Sequence, residues 1–203
     1  MRHNQSIELS LFFFAAFVAL NAGSALAHEH HPDDSLAPAS APADMSIFNL
    51  DQTWSDDGGR KVKLSSLSGK PLVVAMVYSS CQAACPIIVS DMKRIEAALP
   101  KEVRGRVRFA LFSFDPVRDS QKRLGEYRRE RKVESWLLLR SGEEQVRDLA
   151  AVLGFRYKLL PNGDYQHSNL ITVIDSVGVV RYQLNGLGQG VEEATKKIVE
   201  LAR

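Results

Sequence analysis

The sequence predicts a mixed α/β domain with a central sheet covered by helices, and three observations carry that reading. Residues 72–78 (Leu-Val-Val-Ala-Met-Val-Tyr) and 107–114 are apolar runs of strand length, as expected for strands buried on both faces. Between them Ile88, Met92, Ile95 and Leu99 recur at helical spacing. Beyond them, residues 170–175 and 179–183 flank the turn Ser176-Val177-Gly178 as a hairpin, and 191–202 close the chain with a helical pattern. A strand-helix-strand unit followed by a hairpin and a helix implies one mixed sheet with helical layers.

The elements follow in order. Residues 1–27 have a basic start (Arg2, His3), a short apolar segment (9–20) and Ala25-Leu26-Ala27, the order of a secretion signal cut after Ala27. The apolar stretch is shorter than the roughly 18–20 residues of a spanning helix, and the alternative is an uncleaved anchor in the membrane. Residues 28–44 are rich in His, Pro, Ala, Ser and Asp without hydrophobic periodicity, so a leader without structure is expected. The folded domain then runs from 45 to 203. Turn chemistry at Asp56-Asp57-Gly58-Gly59 predicts an N-terminal hairpin within 47–67. The strand at 72–78 passes through a loop, 79–85, to a helix opened by Pro86. Helices are expected at 120–132 and 142–153, with a strand at 136–139 between them. No repeat or second domain is visible.

Composition narrows the function. Of 203 residues, 26 are Lys or Arg and 24 are Asp or Glu, a net charge of +2 that offers no general attraction to nucleic acid or to an anionic membrane. The scarce residues say more. The two cysteines, Cys81 and Cys85, stand in Cys81-Gln82-Ala83-Ala84-Cys85-Pro86, and of five histidines only His167 lies beyond position 31. The cysteines fall where a buried strand hands over to a helix, the edge at which α/β sheets bind ligands. The helix start favours a negative charge, so both thiols, Cys85 most of all, are expected to ionise easily. Three intervening residues let the sulfurs converge, which suits a disulfide or two ligands to one ion. An inert stapling disulfide is the structural alternative, although so short a loop gains little from one.

With these residues in view, the sequence resembles the SCO/SenC copper proteins required for cytochrome c oxidase assembly. The resemblance spans about 48–201. It rests on Val74-Ala75-Met76-Val77-Tyr78 leading into Cys81 and Cys85-Pro86, on Phe114-Asp115-Pro116-Val117-Arg118-Asp119, and on His167-Ser168 before the strand ending Ile174-Asp175. It implies a thioredoxin-like fold and a copper site of two cysteines and a distant histidine, carried here by Cys81, Cys85 and His167. Gln82 stands where the family commonly has Pro, and Ser120 where it usually has Thr. Two thiolates and an imidazole form a soft site suited to Cu(I), and the histidine also tolerates Cu(II).

The resemblance therefore implies an exported copper metallochaperone that loads the Cu-A centre of an oxidase. Its expected partners are a copper-accepting oxidase subunit and an upstream copper donor or thiol reductase, in the bacterial periplasm. The competing function is a thiol-disulfide reductase that keeps oxidase cysteines reduced, with Cys81 and Cys85 as its redox pair and no need of His167. Typical thioredoxin enzymes use C-x-x-C and a cis-proline, and residues 164–170 contain no proline. Two further readings concern neighbouring residues. Asp115 and Asp119 are expected either to form a turn with Asp119 or Ser120 capping the next helix, or to tune the cysteines or dock a partner. After cleavage, His28-Glu29-His30-His31 would begin the chain, and its amine, amides and His30 could wrap Cu(II) in a square plane, with a plain polar spacer as the alternative.

Overall fold

In the computed structural model, residues 35–41 and 45–203 are described. The signal segment, His28 and His30 lie outside the described residues. The predicted hairpin forms from β1 (Thr53–Asp56) and β2 (Lys61–Lys63). The Asp56 carboxylate closes its turn by accepting from the amides of Gly58 at 3.0 Å and Arg60 at 2.8 Å.

Next comes β3 (Leu72–Val77), buried at every position, and then α1 (Ala84–Ala98), which turns Cys85, Ile88, Val89, Met92 and Ile95 into the core. The helix begins two residues before Pro86. Proline lacks only an amide that the first turn leaves unbonded in any case. A short α2 (Lys101–Arg104) leads to β4 (Arg108–Ser113). Then follow α3 (Gln121–Arg131), β5 (Leu137–Arg140) and α4 (Glu143–Leu153). Ser120 caps α3 by accepting from the Arg123 amide at 3.2 Å.

The chain continues through β6 (Tyr157–Leu159), β7 (Tyr165–His167), β8 (Leu170–Ile174), β9 (Val180–Asn185) and α5 (Glu192–Leu201). Seven strands form one mixed sheet in the order β2-β1-β5-β4-β3-β8-β9. β3 and β5 run parallel to β4, whereas β8 runs antiparallel to β3. The register Val77↔Ser113 brings the carboxyl ends of β3 and β4 level, so the cysteine loop and the loop after Phe114 leave the sheet side by side.

Two features depart from the sequence reading. β6 and β7 pair as a separate two-stranded sheet; their three-residue strands are too short and too polar to show a period. The leader expected to lack structure is docked over residues 35–41, where the amides of Leu36 and Ala39 donate to the carbonyls of His167 at 3.2 Å and Gly154 at 2.9 Å. Backbone bonding of this kind leaves no mark on hydrophobic pattern.

Gly154 ends α4 with a left-handed φ of +65°, and a Cβ built there would stand 2.1 Å from the Ala39 carbonyl oxygen. Gly154→Ala is therefore expected to lower stability by about 1–3 kcal/mol, measured by urea unfolding; an unchanged midpoint would contradict this. Among the described residues, no helix is long and apolar enough to cross a membrane.

Candidate metal centre

The site is assembled from three places in the chain. As β3 ends, the Cys81 amide donates to the Tyr78 carbonyl at 3.3 Å, and the chain turns so that the Cys85 amide donates to Cys81 Sγ at 3.3 Å. Cys85 lies in the first turn of α1. His167, the last residue of β7, places Nε2 at 3.9 Å from Cys85 Sγ. The two sulfurs and a ring nitrogen lie within 4.8 Å of one another. Metal–sulfur and metal–imidazole bonds of about 2.3 and 2.0 Å separate trigonal ligand atoms by roughly 3.7 Å, so small side-chain shifts suffice to close this triangle on one ion. All three side chains are buried, and both cysteines are free thiols.

The histidine is oriented by a second interaction. Its Nδ1 lies 2.9 Å from the Ser168 carbonyl oxygen. A carbonyl only accepts, so Nδ1 carries the proton and Nε2 presents its lone pair to the sulfurs. Aromatic rings fix the plane of the imidazole: Phe155 stacks on it at 6.0 Å, and Phe114 and Tyr78 meet it edge-on at 5.3 and 6.0 Å. Tyr78 and Phe114, expected to be core residues, are buried, and both also pack against the histidine. Phe155 escaped the sequence reading; its one available sign was an aromatic directly after the helix-ending Gly154.

The acidic residues act as braces. Asp119, fully buried, accepts from the Ser79 amide at 3.1 Å, the Ser79 hydroxyl at 2.5 Å and the Ser113 hydroxyl at 2.6 Å. It ties the start of the cysteine loop to the end of β4. Asp115 is buried too and accepts from the backbone and guanidinium of Arg118. Arg118 lies over the Tyr78 and Tyr165 rings at 5.4 and 5.1 Å and donates to the Gly163 carbonyl at 2.6 Å, which clasps the β6–β7 turn to this loop. Both carboxylates are buried and engaged in these internal bonds. Of the two capping candidates, Ser120 makes the cap and Asp119 does not.

Electrostatics corrects the expected order of the thiols. Cys81 is held well below the ordinary thiol range, chiefly because the Cys85 thiol donates to its sulfur, with donation from the amides of Cys85 and Ala83 adding to that against burial. Cys85 is pushed up by burial and by the neighbouring Cys81 sulfur. The helix start favours Cys85 as anion, but a fully buried group beside an existing thiolate cannot also ionise.

Comparison with known proteins decides the lineage. The SCO1/SenC family model matches residues 41–203. The chain belongs to the SCO1/SenC family. A Stutzerimonas stutzeri protein named for copper binding is 25% identical over 144 residues, covering 69% of either chain. Among solved structures, a SCO1/SenC family lipoprotein from Bacillus anthracis aligns with a TM-score of 0.68 at 22% identity, over 75% of this chain and 93% of its own. Bradyrhizobium japonicum ScoI, solved with copper bound, aligns with a TM-score of 0.60 at 24% identity, over 73% and 96%. These likenesses establish the thioredoxin-like fold of the SCO1/SenC domain described above.

Proposed function

We propose that this SCO1/SenC chain is an exported copper metallochaperone that takes its metal on Cys81, Cys85 and His167 and passes it to the Cu-A centre of an oxidase. The observation that carries the reading is the convergence of two sulfurs and an oriented imidazole, all buried and within 4.8 Å. Soft sulfur donors select Cu(I), and an imidazole admits Cu(II) as well. Copper-bound relatives support the choice of metal. Export is supported by the signal-like order of residues 1–27 and by a lipoprotein among the structural neighbours. Three protein ligands leave a coordination position open, through which an acceptor's ligands can displace these one at a time. A Cys81–Cys85 disulfide would have no thiolate to offer, so reduction gates loading.

The thiol reductase reading draws on one observation, the unequal thiols. Cys81 as thiolate would attack a partner's disulfide, and Cys85, held as thiol, would resolve the mixed disulfide.

Anaerobic titration tests the chaperone reading. Reduced protein is expected to take up one equivalent of Cu(I), while Cys81→Ser and Cys85→Ser lose high-affinity binding; no uptake by the unaltered chain would end the proposal. The same titration counts protons. With Cys81 already ionised and Cys85 protonated at neutral pH, loading should release about one proton per ion, measured by pH-stat, and two would show that both thiols start protonated.

A further inference from the structure

The docked part of the leader, residues 35–41, lies almost wholly outside the match to the family, which begins at residue 41. Its hydrogen bonds nevertheless end on the segments that hold the candidate ligand His167. The peptide group joining His167 to Ser168 is engaged on both sides: its carbonyl accepts from Leu36 at 3.2 Å, and its amide donates to the Arg156 carbonyl at 2.8 Å. The next carbonyl, that of Ser168, is the acceptor that sets the His167 tautomer. The second anchor, Ala39 to Gly154, lies next to Phe155, whose ring stacks on the imidazole. The leader thus grips both the peptide and the ring support that orient one metal ligand.

We propose that residues 35–41 are a strap that positions His167, so that docking of the leader and holding of copper reinforce each other; this rests on the copper reading of Cys81, Cys85 and His167. β6 and β7 form a sheet of only two strands, a unit with little stability of its own. The strap adds a backbone contact on the residue that carries the ligand. Without the Leu36 amide, the His167 carbonyl loses its partner in a buried setting, and the 167–168 peptide is held on one side only, through the Arg156 carbonyl. A peptide loosened in this way lets the Ser168 carbonyl shift from Nδ1 and weakens the aim of Nε2 at the sulfurs. Coupling of this kind is reciprocal: if the strap tightens copper binding, copper tightens the strap by the same factor. Undocking would then loosen the histidine before the thiolates, which favours transfer to an acceptor.

The test uses the full chain with Leu36→Pro, which deletes the amide hydrogen, and Leu36→Ala, which keeps it. Leu36→Pro is expected to weaken Cu(I) binding about tenfold to a hundredfold, the usual cost of losing a group that orients a ligand. It should also alter the Cu(II)-thiolate absorption band. Leu36→Ala should match the unaltered chain in both readouts. Amide hydrogen exchange gives a measure free of substitution: Cu(I) should slow exchange at Leu36 and Ala39. Equal affinity and spectra for the two variants, or no change in exchange on loading, overturns the strap. Absence of copper uptake by the unaltered chain overturns the copper reading, and the strap with it, and is distinguished by appearing before any variant is made.

Discussion

His167→Phe is expected to lower Cu(I) affinity by more than about a hundredfold, since groups that merely orient a metal ligand already cost 10–100-fold. Phenylalanine is the informative replacement. The imidazole sits in an aromatic slot against Phe155, Phe114 and Tyr78, and a phenyl ring retains that packing while offering no lone pair. Alanine would also empty the slot, and lost affinity could then be confused with lost structure. Two thiolates alone can still hold Cu(I) weakly, whereas Cu(II), which favours imidazole nitrogen, should no longer bind. The same variant separates the two functional readings. Disulfide exchange needs only Cys81 and Cys85, so reductase turnover should survive His167→Phe. Copper affinity measured by anaerobic competition with a chromophoric chelator decides the matter: affinity within threefold of the unaltered chain would remove His167 from the site.

How far the sequence disclosed this arrangement depends on the range of the interactions. Apolar runs at 72–78 and 107–114 and the helical spacing of Ile88, Met92, Ile95 and Leu99 record burial directly, so the strands and helices they predict stand in the structure within two residues or so at their ends. The cysteine pair was legible because its two members are four positions apart and sit at a strand-to-helix junction. His167 is 82 positions from Cys85. Its approach depends on the β6–β7 hairpin, whose strands carry no periodic signal, and it came into view only through the resemblance and the rarity of histidine. The docked leader and the relative acidity of the thiols were out of reach for a different reason. Leu36 reaches His167 through a backbone amide that every residue except proline possesses. The order of the thiols turns on the complete burial of Cys85 beside Cys81, which local position at a helix start does not encode.

Asp119→Ala is expected to destabilise the domain by roughly 3–5 kcal/mol, the lower part of the range for leaving three buried donors without an acceptor. The carboxylate has no exposure and accepts from Ser79 twice and from Ser113 once. Alanine would leave a buried amide and two buried hydroxyls without their acceptor, each loss costing about 1–3 kcal/mol. Burial raises the Asp119 pKa and the serine bonds restrain that rise. A carboxyl with a raised folded-state pKa binds its proton more tightly in the native protein. Its contribution is therefore present in full below the unfolded pKa and declines as pH climbs through the folded value. Asp119→Asn should lose less than alanine, because its amide oxygen can still accept from the Ser79 amide while a serine hydroxyl turns to accept from its NH2 group. The penalty should fall with pH decrease for neither alanine nor asparagine in the way a surface ion pair would, since the bonds lost are to neutral donors. Ser79 is two residues from Cys81, so the loss should also reach the metal centre: the loop start comes free of β4, and Cys81 loses the fixed path from Tyr78 on which its distance to Cys85 depends. Urea unfolding of the apo protein measures the first effect and Cu(I) competition the second. A stability change below 1 kcal/mol for Asp119→Ala would show that water replaces the carboxylate and that the loop is held by Cys81, Cys85 and the α1 start alone.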